Sequence, residues 1–492
     1  MGLRTGRHYL SSLQDGRQVY LDGQLVRDVT RDPRLGLTAQ TVADLYDMQH
    51  DPRWRDVLTA PGPDGERVPV ACLQPRDAAD LARRRAAMKC WADATCGLFG
   101  RTPDFMNLGI ATLAAASAVF DKSASGRSFA ANVRAFHERV CREDLTMTHI
   151  QVNPAVDRSK QVHQQARDIA LKIVRESDAG FWVHGMRLVG TLAQFADEIV
   201  VMPSVVVSND DNAGDYAFAF VTPVAAPGIR VISRPTVVPQ NPGHFLDHPL
   251  SIQYDEGDAV IVFDDVFVPW ERTFIFRDPA MCNAVYRQTY LAEHYSHQTM
   301  TRALAKAEFM AGLACKLAAA TKVDGFPNVQ AQLAELLIVV ETQRALLLQS
   351  EQQCSATGFG TVAPSKLALH AAQLNFHEKY SRMIDVLRAI GAGSLIGVPS
   401  YAELQGDIGH VVREYMATAT LEADERIRLT RLAADASISA FSGRQALYER
   451  YYQGDPVRKV CGYYLEYPKQ DLTGRIDALL QDLDRKAARL AG

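Results

Sequence analysis

The spacing of apolar residues changes twice along this chain, and those changes restrict what it can fold into. Up to about residue 142 the apolar positions recur at helical spacing; short alternating runs then take over to about residue 278; from His294 onward the helical spacing returns and persists. A period of 3.6 residues does not suit a strand, nor a period of two a helix. The first change falls in Leu145–Arg158, LTMTHIQVNPAVDR. This stretch carries a histidine, His149, an amide, Gln151, and an Asn153-Pro154 turn closed by Asp157 and Arg158. Small-molecule clefts concentrate where layers meet, so this junction is the first candidate site.

The chain divides accordingly into a mainly helical part at 1–142, a β part at 143–278 and a helical part at 279–492. In the first part, Asp22-Gly23 within VYLDGQLV predicts a small hairpin. Thr38 is a candidate helix cap, and a long helix is expected over Asp77–Leu98 with Leu81, Met88 and Trp91 inward. The run Arg83-Arg84-Arg85 reads as its solvated face. Gly97-Leu98-Phe99-Gly100 breaks that helix, and Thr102-Pro103-Asp104 opens the next, with Thr102 capping and Pro103 in the first turn.

In the second part, Lys172–Val174, Phe181–Val183, Met186–Val189, Glu198–Pro203, Tyr216–Thr222, Gly228–Ser233 and Asp258–Val268 read as strands. Turn signals such as His184-Gly185 and Pro227-Gly228 bound them, which predicts a sandwich or small barrel. In the third part, Phe309, Leu313 and Leu317 share a face, as do Val329, Leu333, Leu336 and Val340. With Lys366–Gly391 and Ile408–Ala433 they predict a four-helix bundle. The tail from 444 is helical again, interrupted by Gly454-Asp455-Pro456.

Composition narrows the function class. With 53 basic against 57 acidic residues the net charge is −4, which favours neither nucleic acid nor an anionic membrane as partner. No apolar run approaches the roughly 20 residues of a membrane helix, and the N-terminal stretch has no apolar core segment of a signal peptide. A Gly2 myristoylation reading rests on a short motif. A soluble cytoplasmic protein with reduced thiols is the expectation. Cys90 and Cys96, the closest pair, lack the CxxC spacing of zinc or redox sites, so no metal is expected.

No GxGxxG follows a strand, and there is no Walker loop, HExxH or GxSxG elbow. What remains are polar residues at element boundaries, each with a plainer alternative. Arg101 follows a helix break and could simply cap or face solvent. His149 could be a hydrogen-bonded structural histidine. Thr191 and Gly454-Asp455-Pro456 are turn residues by default. Asp264-Asp265 would point to opposite faces of a strand and reads as structural. Tyr290, His294, Tyr295 and His297 cluster at a helix start, where they could line a cleft or fill a core.

Several longer stretches resemble one family: RTGRHYLSSLQDGRQVYLDG at the start, LYDMQHDP, GRTPDF, THIQVNPAVDRS, ESDAGFWVHGMRLVGT, DHPLSIQYDEGDAVIVFDDVFVPWER, DGFPNVQ and GRQALYERYYQGDP. In this order they resemble the 4-hydroxyphenylacetate 3-monooxygenase family, the oxygenase component of two-component phenol hydroxylases, which includes chlorophenol and nitrophenol monooxygenases. The resemblance implies an α+β, acyl-CoA dehydrogenase-like fold: an N-terminal helical domain, a middle β-barrel or sandwich and a C-terminal four-helix bundle. It implies a homotetramer that binds FAD as FADH2, supplied by a separate NAD(P)H:flavin reductase. Oxygen would add to the flavin as a C4a-hydroperoxide, and a phenol would be hydroxylated, typically ortho to its hydroxyl. The rivals are a CoA-ester dehydratase or dehydrogenase of the same fold, and a non-catalytic flavin-binding oligomer.

Carried onto matching positions, the resemblance makes Arg101 and His149 the catalytic pair, with Phe105, Pro203 and Ser204 also at the substrate. Gln151, Ala155, Val156, Asp157 and Arg158 would hold the flavin together with His149, Thr191 from the β domain, and Gly454, Asp455, Pro456 and Val457 from this or another subunit. The glycine-rich 391–400 segment would close over it. One position departs from the pattern. The family motif commonly continues RTPDY, and here Phe105 lacks that hydroxyl. An unmade buried hydrogen bond costs about 1–3 kcal/mol. The resemblance therefore leaves the phenol open between 4-hydroxyphenylacetate, a more acidic or apolar phenol such as a halophenol or nitrophenol, and a phenolic biosynthetic intermediate. It also leaves open whether halide or nitrite is released.

Overall fold

The structure is a computed structural model that describes residues 3–62, 65–121, 123–154, 156–203, 207, 211–239 and 243–491. Two sheets face each other at its centre. The first is built from β1 (Val19–Leu21), β2 (Gln24–Val26), β4 (Lys172–Ser177), β5 (Gly180–Thr191), β8 (Ile229–Ser233) and β9 (Asp258–Pro269), in the order β2-β1-β8-β9-β5-β4. The second comprises β3 (Met147–Ile150), β6 (Glu198–Val201), β7 (Phe218–Pro223) and β10 (Thr273–Phe276), in the order β10-β7-β6-β3. Inward residues alternate along β8, where Ile229, Val231 and Ser233 are buried while Arg230 and Ile232 are exposed.

The predicted hairpin forms, with Asp22 and Gly23 at φ 51° and 77° as a tight two-residue turn requires. Its place is a finding: Val19 pairs in parallel with Val231, so residues near the N-terminus join the first sheet. His184-Gly185 is no turn. β5 runs through it unbroken, because Gly185 takes φ 119° and the strand keeps its pairing to β9. Between Phe263 and Val266 that pairing slips a register, and Asp265 adopts φ 50°. The bulge cancels the opposite-face rule: Asp264 and Asp265 both approach His184 Nδ1, at 3.8 and 3.2 Å.

Helices cover this sandwich. On the N-terminal side lie α1 (Ala78–Ala94), α2 (Pro103–Ala115) and α3 (Ala130–Glu143). The C-terminal part contains α4 (Leu291–Ala320), α5 (Pro327–Gln352), α6 (Lys366–Gly391), α7 (Ala423–Ser437), α8 (Ala440–Tyr451), α9 (Pro456–Glu466) and α10 (Gln470–Ala491). α4, α5 and α6 pack on one another over long stretches. The expected fourth long helix over Ile408–Ala433 is broken: Thr418 turns the chain back by accepting the Leu421 N–H at 2.9 Å, and α7 starts only at Ala423. One continuous apolar core runs from Tyr9 through Phe181 and Phe220 to Met300 and Phe376.

Two other expectations fail for physical reasons. Thr38 lies inside its helix, and its hydroxyl donates to the Asp255 carbonyl at 3.2 Å instead of capping. The arginine run is not a solvated face. Arg84 is 1 % exposed and contacts His294 Nδ1 at 2.5 Å, while Arg85 pairs with Glu351 at 2.6 Å. Glu351 also takes a hydrogen bond from His297 at 2.9 Å, so α1, α4 and α5 share a buried polar seam.

Candidate active site

Arg101 sits in the two-residue link before α2, an extended passage made possible by the break at Gly97–Gly100 and by Pro103 in the first helical turn. Its backbone N–H donates to Glu256 Oε1 at 2.6 Å. Its Nη1 donates to Tyr448 Oη at 2.6 Å and to the Gly100 carbonyl at 3.1 Å. The phenol of Tyr448 comes so close to Gly100 that a β-carbon there would collide with it. Nε of Arg101 is buried without a partner among the described residues.

The guanidinium lies 4.3 Å from the centroid of Phe105. Phe105 stacks on Tyr295, centroids 4.4 Å apart and rings 12° from parallel. His149 stands 5.4 Å from Phe105 and 6.3 Å from Tyr295, so the three rings form a triangle. Tyr295 gains its position over α2 because Gly109 has no side chain to block it. Arg101, Phe105, His149 and Tyr295 therefore form one aromatic and cationic cluster, drawn from a loop, a helix, β3 and α4. Such a cation over a ring face contributes about 0.5–2 kcal/mol, more as water is removed.

Burial, and then the neighbouring Arg101 charge, push the His149 imidazole down to about 3, so it is neutral at physiological pH. Its Nδ1 is sealed from solvent and unpartnered among the described residues. Burial pushes the Tyr295 and Tyr448 phenols up, against the pull of Arg101, so both stay protonated. In α2, burial raises Asp104 to about 6 although Thr102 and Gln298 donate to it. Thr102 thus spends its hydroxyl on Asp104, at 2.5 Å, and makes no cap.

Beside this cluster runs the junction segment. Gln151 donates from Nε2 to Tyr286 Oη at 2.7 Å, and its carbonyl accepts from Arg187 at 2.6 Å. The N–H groups of Val156 and Asp157 both donate to Gln165 Oε1, at 3.1 and 2.7 Å, which fixes the turn. The Asp157 carboxylate accepts from Ser159, and Arg158 is exposed. Thr191 donates to Asp258 Oδ1 at 2.7 Å, and its carbonyl accepts from Thr148, next to His149, at 2.6 Å. Pro203 is buried, just after the Met202 N–H joins Ile150 at 3.1 Å. Ala155 and Ser204 lie outside the described residues.

The Gly454–Val457 turn is not brought to the Arg101 cluster by any described contact within this chain. Gly454 takes φ 98°, Asp455 caps α9 through Arg458, Pro456 opens that helix and Val457 is exposed. Its neighbour Gln453 reaches Thr299 on α4 at 3.4 Å.

Further contributors went unassigned from sequence. Arg444 donates to Glu256 at 3.1 Å and to both oxygens of Asp258, at 2.9 and 3.1 Å. It therefore ties the carboxylate under the Arg101 backbone to the carboxylate under Thr191. Burial works against charge on Asp258, yet Arg444, Arg234 and Thr191 hold it well below the usual carboxylate range. Behind Tyr448, Arg302 pairs with Glu449 at 2.6 and 2.9 Å, and Lys306 joins at 2.5 Å. The available signal was charge inside apolar stretches, as in QYDEGDAVIVF and GRQALYERYY.

Apolar side chains stay exposed around Gln151. Val152 and Val189 are 43 % and 56 % exposed, and Val152 bridges Leu188 beside Val189. Val156 is 49 % exposed on the adjoining turn. Valines left open between a fixed amide and a fixed hydroxyl provide a stacking wall with polar ends.

Comparison with known proteins agrees with this architecture. The profile described as 4-hydroxyphenylacetate 3-hydroxylase N terminal matches residues 5–275, and the C-terminal profile of the same family matches 282–481. The chain is 35 % identical to the 4-hydroxyphenylacetate 3-monooxygenase oxygenase component of Thermus thermophilus, covering 97 % of this chain and 98 % of that protein. It is 32 % identical to the pyoverdin chromophore biosynthetic protein PvcC of Pseudomonas aeruginosa, over 92 % of this chain and 89 % of that one. A crystal structure of a 4-hydroxyphenylacetate 3-monooxygenase oxygenase component complexed with FAD and 4-hydroxyphenylacetate superposes with a TM-score of 0.92 at 35 % identity, covering 98 % of this chain and 99 % of the other. An archaeal 4-hydroxybutyryl-CoA dehydratase, at 19 % identity, covers 98 % of this chain and 95 % of its own with a TM-score of 0.86, and shares the fold alone. The fold is thus the acyl-CoA dehydrogenase-like one, and the chain belongs to the 4-hydroxyphenylacetate 3-hydroxylase family, as a monooxygenase of the oxygenase-component type.

Proposed function

We propose that this chain hydroxylates a phenol ortho to its hydroxyl, using oxygen and reduced FAD delivered by a separate NAD(P)H:flavin reductase. The observation that carries the reading is a neutral His149 and a fixed Arg101 cation that both stand against Phe105. Reduced FAD supplies the activation of oxygen; the protein supplies position and electrostatics. Gln151, the Val156–Arg158 turn with Ala155, and Thr191 hold the flavin edge against the valine wall. His149, neutral, accepts the phenol's proton or hydrogen bond, which makes the ring more nucleophilic. Arg101, tethered by Tyr448 and Glu256, stabilises the anionic oxygen that develops. Phe105 and Tyr295 offer a flat platform for the ring, with Pro203 closing it. Gly454–Val457 completes a flavin site in a neighbouring subunit.

A homotetramer in the cytoplasm is part of this reading. In α10, Leu472, Ile476, Leu479, Leu480 and Leu483 are all half or more exposed along one face, which supports burial against another copy. Among the described residues, no helix is long and apolar enough to cross a membrane.

The test is turnover with a flavin reductase, FAD, NADH and isotopically labelled oxygen against a panel of phenols. A catechol product carrying the label is expected. Flavin oxidation without a labelled product from any phenol would sink the reading.

A further inference from the structure

A second reactive cluster lies apart from the Arg101 pocket. Cys141 is in the last turn of α3, one helical turn after His137, and its Sγ stands 3.3 Å from His137 Nε2. The same nitrogen is 2.9 Å from the Cys72 backbone carbonyl. A carbonyl only accepts, so Nε2 carries a hydrogen and presents it to both the carbonyl and the sulfur. Cys72 sits in the short helical turn Val70–Cys72, so both cysteines meet at the one imidazole nitrogen. Cys72 is 2 % exposed, whereas Cys141 is partly open to solvent. A small oxidant therefore meets Cys141 first and finds Cys72 sheltered behind it.

We propose that Cys141 and Cys72 are an oxidisable thiol pair, in which Cys141 reacts with hydrogen peroxide, His137 is its ion-pair partner and Cys72 closes a disulfide. The charges around the pair favour this division. The nearby Cys72 thiol pulls the Cys141 thiol down most; burial opposes, and His137 adds to the pull, bringing it to about 5. Burial opposes charge on His137, but the Cys141 sulfur, the Cys72 carbonyl and Glu138 raise it overall. Cys141, burial and Asp144 push the Cys72 thiol up, so it stays protonated. The C-terminal end of α3 disfavours a thiolate, and Cys72 and the ion pair with His137 compensate.

The chemistry balances. The Cys141 thiolate attacks a peroxide oxygen; an S–O bond forms, the O–O bond breaks, and the leaving hydroxide takes a proton from the His137 imidazolium as water. Sulfur loses two electrons and peroxide gains them. The Cys72 sulfur then attacks the sulfenic sulfur; an S–S bond forms, the S–O bond breaks, and hydroxide leaves with the Cys72 proton as a second water. α3 and the Val70–Cys72 turn both pack on α2, the helix that carries Phe105, so the disulfide would link its two flanks.

Peroxide is added in the test, so its result stands apart from the hydroxylation reading. The full-length protein is exposed to hydrogen peroxide at pH 6, 7 and 8, quenched by alkylation and mapped by peptide mass spectrometry. A cross-linked peptide joining Cys72 to Cys141 is expected, formed at a rate that barely changes with pH. N-acetylcysteine in the same tube, whose thiol ionises above that range, should speed up about tenfold per pH unit. In His137→Asn, the Cys141 rate should become more dependent on pH than in the unaltered protein. In Cys72→Ser, Cys141 should accumulate sulfenic acid that dimedone traps, which decides the matter if His137→Asn does not fold. The proposal is overturned if Cys141 of the unaltered protein tracks N-acetylcysteine, if no Cys72–Cys141 peptide forms, or if Cys72→Ser yields no dimedone adduct.

Discussion

Arg101 is tied to Tyr448 by a 2.6 Å hydrogen bond from Nη1 to the phenolic oxygen, although 347 positions separate them in the chain. The catalytic candidate on one side of the sandwich is thus aimed by a residue of α8. Tyr448 is itself held, stacked on Tyr452 at 4.8 Å with the Arg444 guanidinium 4.8 Å from its ring centroid. Arginine has several rotatable bonds, so a guanidinium must be tethered if its charge is to stay in one place.

Tyr448→Phe removes that tether and leaves the packing in place. Losing a hydrogen bond to a buried charged group costs about 1.5–3 kcal/mol. The expected result is a fall of roughly 10- to 100-fold in kcat/KM for the phenol, with the affinity for reduced FAD changed far less. Steady-state kinetics beside a flavin-binding titration separate the two. A variant that loses flavin and phenol binding together would show that Tyr448 holds the fold and does not aim Arg101.

Phe105→Tyr adds a hydroxyl to a ring that already lies between Arg101, His149 and Tyr295. If the new group reaches the substrate oxygen, phenols that ionise with difficulty gain most. The expected shift is about tenfold in the kcat/KM ratio of 4-hydroxyphenylacetate over a nitrophenol, the worth of one hydrogen bond. An unchanged ratio would mean that position 105 does not face the phenol.

How much of this was legible in the chain depended on distance along it. The Asp22-Gly23 hairpin, Pro103 in a first turn and the helical stripe through Phe309, Leu313 and Leu317 are local, and the pattern carried them. Arg84 was misread because a triplet of arginines looks solvated from one helix alone; the partner that buries it, His294, lies on α4. The break near Thr418 was missed because the apolar spacing continues through it while a side-chain hydrogen bond turns the backbone. In the candidate site, Arg101, Phe105 and His149 were found through the motifs they sit in, and they do converge. Tyr295 was legible only as a residue that could line a cleft or fill a core, and Glu256, Arg444 and Tyr448 were overlooked because their roles consist of long-range pairing, which a period cannot reveal.

Glu449 compensates two buried cations at once, Arg302 and Lys306, and all three side chains are essentially inaccessible. Burial works against charge on Glu449, yet the two cations hold it at about 2. Glu449→Gln leaves them with no counter-charge, and breaking a buried pair in this way costs about 3–5 kcal/mol. Chemical denaturation should register that loss. Adding Arg302→Met should restore part of it, because the stranded guanidinium is then gone; Lys306, already pushed down to about 7 by burial, sheds its proton instead. If the double variant is no more stable than Glu449→Gln, the cost lies in packing rather than in charge.

The pH dependence of stability carries a signature of His149. Its imidazole titrates near 6.5 when unfolded and is pushed down to about 3 in the folded protein by burial and by Arg101. Below the unfolded value the unfolded chain binds a proton that the folded chain refuses, so folding loses stability as pH falls from about 6.5 toward 3. Above that range His149 contributes no pH dependence. At pH 5 the penalty is about 2 kcal/mol, from roughly one and a half pH units at 1.36 kcal/mol each. His149→Asn keeps a polar group of similar size but cannot take up the proton. Urea unfolding of both proteins at pH 7 and pH 5 should therefore show the unaltered chain losing about 2 kcal/mol more than the variant over that interval. Equal losses in the two proteins would mean that His149 is charged in the folded state. In that case it could not serve as a neutral acceptor for the phenol.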